Sequence, residues 1–144
     1  MDGIHPTDDL RVLCVDDHRD AADMLGLMLD ISGYHSRVCY SGREALDLLD
    51  AFDPHACILD VQMPGMDGVE LARHIRAWAG RRPITLVAVT GLDDDRTRWR
   101  TADAGFDLHL TKPADPDKLA ILLADIVIRQ NQSSDEADRS PHGE

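Results

Sequence analysis

Five short apolar runs, each followed by a longer stretch with helical spacing, narrow the folds open to this chain more than any other feature. They cover residues 11–15, 35–40, 55–59, 84–89 and 107–110 and are rich in Val, Ile and Leu. A strand exposed on one face alternates polar and apolar residues. These runs are apolar nearly throughout, as strands covered on both faces are. The intervening stretches carry the helical period. Ala21, Met24, Leu25 and Met28 share one helical face, as do Leu71, Ala72, Ile75 and Trp78. Ser41 and Glu44 have the spacing of a capping box, opening a helix that buries Ala45, Leu46 and Leu49. Residues 93–104 are helix-compatible but polar, with Trp99 the only large apolar side chain. A last helix over about 116–129 buries Leu119, Leu122, Leu123 and Ile126.

Strand and helix thus alternate five times, which predicts an α/β domain: a doubly wound, five-stranded parallel sheet of order 2-1-3-4-5 with five helices. Residues 1–8 read as an N-terminal lead and 9–129 as the domain. Residues 130–144, rich in Ser, Asp and Glu, have too little to bury and are expected to form a disordered acidic tail. At 144 residues there is room for one core, and the start at Met1 with no second module reads as a free-standing protein.

Composition excludes several functions. With 27 Asp and Glu against 15 Lys and Arg, the net charge is −12, which is unsuited to non-specific nucleic-acid binding. No apolar run approaches the ~20 residues of a membrane span, and no secretory signal pattern opens the chain. Cys14, Cys39 and Cys57 are scattered through apolar runs and read as reduced core residues of a cytoplasmic protein.

Open parallel sheets bind ligands beyond the carboxyl ends of their strands. Just past the predicted strands stand Asp16 and Asp17 after the first, Asp60 after the third, Thr90 after the fourth and Lys112 after the fifth. The second strand ends in Tyr40 and Ser41 and offers nothing ionic, which suits an edge. Each residue alone has a plainer reading: a helix-capping pair, a turn aspartate, a capping hydroxyl. Their coincidence at four strand ends is what carries weight. Three carboxylates in one cleft repel one another, and a divalent cation resolves the conflict. An all-oxygen donor set points to Mg²⁺ or Mn²⁺. With a hydroxyl and an ammonium added, the set suits phosphoryl transfer, and the central Asp60 is the candidate nucleophile. Lys112 is one of only two lysines in the chain, where a planar arginine fork would not be equivalent.

These residues resemble the receiver domain of two-component response regulators over about residues 9–129. The resemblance rests on Val15-Asp16-Asp17, on the run from Asp60 through Gln62, Met63, Pro64, Met66 and Asp67 to Gly68, on Val89-Thr90-Gly91, and on Ala104-Gly105-Phe106-Asp107 leading to Lys112-Pro113. It implies a flavodoxin-like fold and phosphorylation of Asp60 by a phosphohistidine donor: a sensor or hybrid histidine kinase, or a phosphotransfer protein. It further implies that Asp16, Asp17, Asp60 and the backbone carbonyl of Gln62 hold Mg²⁺. Thr90 and Lys112 would contact the phosphoryl oxygens, and the Lys112–Pro113 peptide would be cis. His109 occupies a switch position that is usually Tyr or Phe, as in receivers working with hybrid kinases, and is expected as a neutral, packed imidazole.

The polar fourth helix, with Arg96, Arg98, Trp99 and Arg100, is the candidate surface for an unknown downstream protein. The last two helices are candidates for homodimerisation. Gln62 and Leu92 would flank attacking water and favour slow to moderate loss of the phosphoryl group, while His18 reads as an exposed loop residue. Other functions fit less well. A phosphohydrolase of the haloacid-dehalogenase type needs a second Asp where Gln62 stands. A degenerate receiver would lack part of the Asp, Asp, Thr, Lys set, and a flavin-binding domain would need a Ser/Thr-rich phosphate loop after the first strand.

Overall fold

The computed structural model describes residues 10–91 and 94–139, with side chains through residue 132. In chain order the elements are β1 (Arg11–Val15), α1 (Arg19–Ile31), β2 (His35–Cys39), α2 (Gly42–Phe52), β3 (Ala56–Asp60), α3 (Gly68–Ala79), β4 (Thr85–Thr90), α4 (Asp95–Ala104), β5 (Leu108–Thr111) and α5 (Pro116–Arg139). The five strands form one parallel sheet of order β2-β1-β3-β4-β5. The core has two layers. α2 and α3 pack on one face through Ala45, Leu49, Leu71 and Ile75, with Ala104 of α4 joining them. α1 and α5 pack on the other through Leu25, Leu29, Leu119, Leu123 and Ile126.

The inner strands β3 and β4 are buried along their whole length, as apolar runs in a doubly covered sheet must be. The edges depart from that pattern. β2 alternates between exposed or half-buried residues until Cys39, and β5 buries only Leu110, because an edge strand is covered by fewer helices. All three cysteines are buried and free, and burial pushes their thiols well above the ordinary range, to about 11 for Cys39.

Two helices differ from the sequence expectation. α1 buries Ala22, Leu25, Gly26 and Leu29, while Ala21 and Met24 face outward and Met28 is half-buried. The helix is apolar around most of its circumference, so periodicity alone leaves its rotation open. Gly26 lies close against β2: a Cβ there would lie 2.6 Å from Val38 Cγ2, so a larger residue would have to displace the Val38 side chain. α5 continues to Arg139, ten residues past the expected end. Neither Gly nor Pro interrupts the chain between Pro116 and Pro141. Gln130 is buried, and its amide donates to the carbonyls of His55 (3.2 Å) and Pro83 (3.4 Å), tying the extension to the end of the sheet. The N-terminal lead and residues 140–144 lie outside the described residues.

α3 starts immediately against the end of β3. Asp67 caps it, accepting the Glu70 amide at 2.9 Å, and the Gly68 amide donates to the Val61 carbonyl at 3.0 Å. A Cβ on Gly68 would lie 2.3 Å from the Asp60 carbonyl oxygen and 2.7 Å from Val61 Cα. Both are backbone atoms that cannot step aside. Gly68→Ala should therefore destabilise the fold by about 2 kcal/mol or more, whereas Gly91→Ala, which meets nothing within 4 Å, should not. Urea unfolding of the two variants checks this; equal stabilities would remove the close-approach argument.

Candidate functional site

The site follows from register. β1 pairs with β3 so that Val15 lies opposite Leu59, which carries Asp16 and Asp60 forward as neighbours beyond the carboxyl edge. β4 ends at Thr90, opposite Thr111 on β5, so Lys112 emerges beside them. Asp16 (7% exposed), Asp60 (4%) and Thr90 are buried, while Asp17 is exposed. One carboxylate oxygen from each of Asp16, Asp17 and Asp60 lies within 4.8 Å of the other two. Lys112 Nζ reaches Asp16 Oδ2 at 3.2 Å and Asp60 Oδ1 at 3.3 Å.

Backbone donors and a strand-end turn hold this cluster in place. Asp16 accepts the His18 amide at 2.9 Å, and Asp60 accepts the Gln62 amide at 3.2 Å. The Lys112 amide donates to the Thr90 carbonyl at 3.0 Å, and the Lys112–Pro113 peptide bond is cis. His18 is the N-cap of α1, its Nδ1 accepting the Ala21 amide at 3.2 Å, so it has a structural task beside the site.

Burial, and then the Asp16 charge, push the Asp60 carboxyl up to about 6, against the opposing pull of Lys112 and the Gln62 amide. Burial would lower the Lys112 ammonium, but its hydrogen bond to Asp16 and the charges of Asp60 and Asp16 outweigh that and hold it above its ordinary value. Two buried carboxylates share one ammonium, so negative charge is left uncompensated. That donor chemistry, three close carboxylate oxygens and no nitrogen or sulfur, fits a hard divalent cation.

Thr101 is a contact that sequence reasoning missed. His109 is exposed on β5, and its Nε2 lies 2.8 Å from the Thr101 hydroxyl on α4. Asp67 is another residue without an assigned role: besides capping α3, it pairs with Arg100 of α4 at 3.6 Å. Asp67 and Glu70 do carry the spacing of a capping box, a signal available in the chain, whereas nothing in the sequence marks Thr101. Trp99 is 71% exposed and Arg96 is exposed beside it. Asp94 caps α4 through the Thr97 amide at 2.8 Å, while Leu92 and Asp93 lie outside the described residues.

Residues 12–124 match the family model of the response regulator receiver domain. The chain belongs to that family. It is a receiver domain of two-component signalling. It is 39% identical to the response regulator MprA of Mycolicibacterium vanbaalenii over 104 residues, 72% of this chain and 44% of that protein. It spans about half the length of the curated relatives it matches. Among solved structures it resembles the Vibrio cholerae chemotaxis protein CheY4, with TM-score 0.77 and 26% identity over 81% of this chain and 98% of that one. Its fold also matches a chain of the Saccharomyces cerevisiae co-crystal of the histidine phosphotransfer protein Ypd1 with the receiver domain of Ssk1, with TM-score 0.79 and 22% identity over 87% and 93%. Among the described residues, no helix is long and apolar enough to cross a membrane.

The raised Asp60 carboxyl gives a stability prediction. With divalent ions chelated, the fold favours protonated Asp60, so this group's contribution is full at low pH and is lost as pH rises through about 6. Asp60→Asn, which removes the charge at nearly constant shape, should raise the melting temperature by several degrees at pH 8. That gain should shrink towards zero at pH 4. A variant that melts no higher than the parent at pH 8 would contradict the like-charge account.

Proposed function

We propose that Asp60 is the phosphoryl acceptor of this receiver, taking the group from a phosphohistidine protein and switching a protein-interaction surface. The observation that carries this is the buried Asp60 carboxylate set between Asp16 and Lys112 at the carboxyl edge of the central strand. An Asp60 oxygen bonds to phosphorus as the phosphorus–nitrogen bond of the donor imidazole breaks. Asp16, Asp17 and Asp60, with the Gln62 carbonyl, would hold Mg²⁺ or Mn²⁺, which supplies positive charge against the phosphoryl oxygens when bound. Lys112 neutralises a further oxygen, and the Thr90 hydroxyl donates to another. The phosphorylated residue gains roughly −1.5 to −2 charge, which draws Thr90 and Lys112 inward and changes β4 and β5 behind them. This chemistry makes the domain a phosphoacceptor and not a turnover enzyme. A phosphohydrolase reading lacks a second carboxylate at position 62.

The donor's docking face is read from α1. Five of the six large apolar side chains exposed among the described residues lie on α1 and α5: Met24, Leu27, Ile31, Ile121 and Ile128. A mostly apolar groove of about 500 Å³ runs from Asp16 and Lys112 along Met24 and Met28 to Pro113 and Ala114. An apolar helix of the donor laid in this groove brings its histidine to Asp60; the Ssk1 receiver, whose fold this chain shares, was itself crystallised with a histidine phosphotransfer protein. Downstream, Arg96, Trp99 and Arg100 of α4 form the candidate output surface, a pairing of Trp and Arg typical of binding hot spots. We place the protein in the cytoplasm, where a phosphohistidine donor and Mg²⁺ are available.

Incubation with acetyl phosphate and Mg²⁺, followed by intact mass, should reveal one added phosphoryl group that Asp60→Asn abolishes. Repeated turnover of a phosphate ester would instead favour the hydrolase. Met24→Glu should slow transfer from a phosphorylated histidine phosphotransfer protein about tenfold and leave the acetyl phosphate rate unchanged. Equal slowing of both would place Met24 in the site or fold and not in docking.

A further inference from the structure

α4 is attached to the domain mainly by polar contacts. It buries only Thr101 and Ala104, so little apolar packing fixes it. Its carboxyl end is pinned by α3: Arg73 pairs with Asp103 at 3.3 Å, and Arg76 donates to the Gly105 carbonyl from Nε at 3.0 Å and from a terminal nitrogen at 2.6 Å. Arg76 also bonds Asp107 at 2.6 Å, so the same guanidinium braces the start of β5. The middle of the helix is held by polar contacts from successive residues. Arg100 reaches the Asp67 carboxylate on one side, and Thr101 meets His109 of β5 on the other. Such a helix can pivot about its carboxyl end at the cost of a few polar contacts.

The chemistry of the Thr101 contact decides who donates. The Thr101 hydroxyl lies 3.0 Å from the Arg98 carbonyl, which can only accept; for both Thr101 contacts to be hydrogen bonds, its single hydrogen goes there. The remaining Thr101 lone pair then takes a hydrogen from His109 Nε2 at 2.8 Å. In that arrangement the neutral imidazole is the Nε2–H tautomer and its ring is tied to α4. Thr101 itself is fully buried, so its hydroxyl has no water to exchange this bond for.

We infer that Thr101 is a positioning residue that latches His109 of β5 to α4 in the resting state through a hydrogen bond. The inference rests on the phosphoacceptor reading above, in which the phosphoryl group changes β5 and so works against a contact that ties β5 to α4. Occupation of the Asp60 site and release of the latch are then linked: removing the latch must tighten binding of a phosphoryl mimic by the factor it had cost. One hydrogen bond of ordinary strength corresponds to about fivefold.

The test is titration of the full chain with beryllium fluoride and Mg²⁺, whose fluoroberyllate occupies a phosphoryl position on a carboxylate. Thr101→Val keeps the buried shape and removes the acceptor, and should tighten binding about fivefold. Thr101→Ser restores the hydroxyl and should return affinity to the parent value. In the free protein, nitrogen NMR of the His109 ring should report the Nε2–H tautomer, with a slowly exchanging proton lost in Thr101→Val. If Thr101→Val does not fold, His109→Phe breaks the same bond from the other side and should tighten binding likewise. Unchanged or weakened affinity in a folded variant, or a ring protonated at Nδ1 alone, overturns the latch. A parent protein that binds no fluoroberyllate at all, lacking a response that Asp60→Asn could remove, overturns the phosphoacceptor reading and the latch with it.

Discussion

Two carboxylates that repel each other sit side by side at the centre of this molecule, and the architecture around them is organised by that conflict. Asp16 and Asp60 become neighbours because β1 and β3 pair in parallel with Val15 opposite Leu59. Neither can swing into solvent, since the covered sheet buries both. Lys112 offsets part of the repulsion from the end of β5, and amides of His18 and Gln62 offset more. What remains appears in the Asp60 carboxyl, which burial and Asp16 push up to about 6. A group held in that state gains most from whatever brings positive charge, and loses most if left with two bare carboxylates.

The rest of the carboxyl edge divides into rigid and yielding parts. Gly68 lets α3 begin against the Asp60 carbonyl, so β3 and the helix after it are locked by backbone contact. α4 is the opposite case. It is polar, capped by Asp94, anchored at one end by Arg73 and Arg76, and held elsewhere by Asp67 and His109. The rigid part holds Asp60 and the start of α3 together. The yielding part carries the exposed Trp99 and its neighbouring arginines.

The opposite sheet face has a different character. α1 and α5 are packed inward by large apolar side chains and also present large ones outward, at Met24, Leu27, Ile31, Ile121 and Ile128. The apolar groove beside Asp16 and Lys112 and the exposed face of α4 are kept apart, because α1 and α4 lie on opposite faces of the sheet.

Much of this was legible in the chain. Five apolar runs at the right spacing determined a doubly covered parallel sheet, and strand ends alone put Asp16, Asp17, Asp60, Thr90 and Lys112 in one place, because every parallel strand delivers its next residue to the same edge. What periodicity could not decide was rotation and extent. α1 is apolar nearly all round, and the structure buries Ala22, Leu25, Gly26 and Leu29, with Gly26 close against Val38. α5 runs on to Arg139, and Gln130 binds two carbonyls that are distant in sequence. Nor could the chain disclose that His109 meets Thr101, since that contact joins two elements whose approach depends on how α4 is pinned by α3. Local pattern determines which residues face a core or end a strand. Pairings between polar groups depend on distances of a few ångströms between elements, and those exist only once the chain has folded.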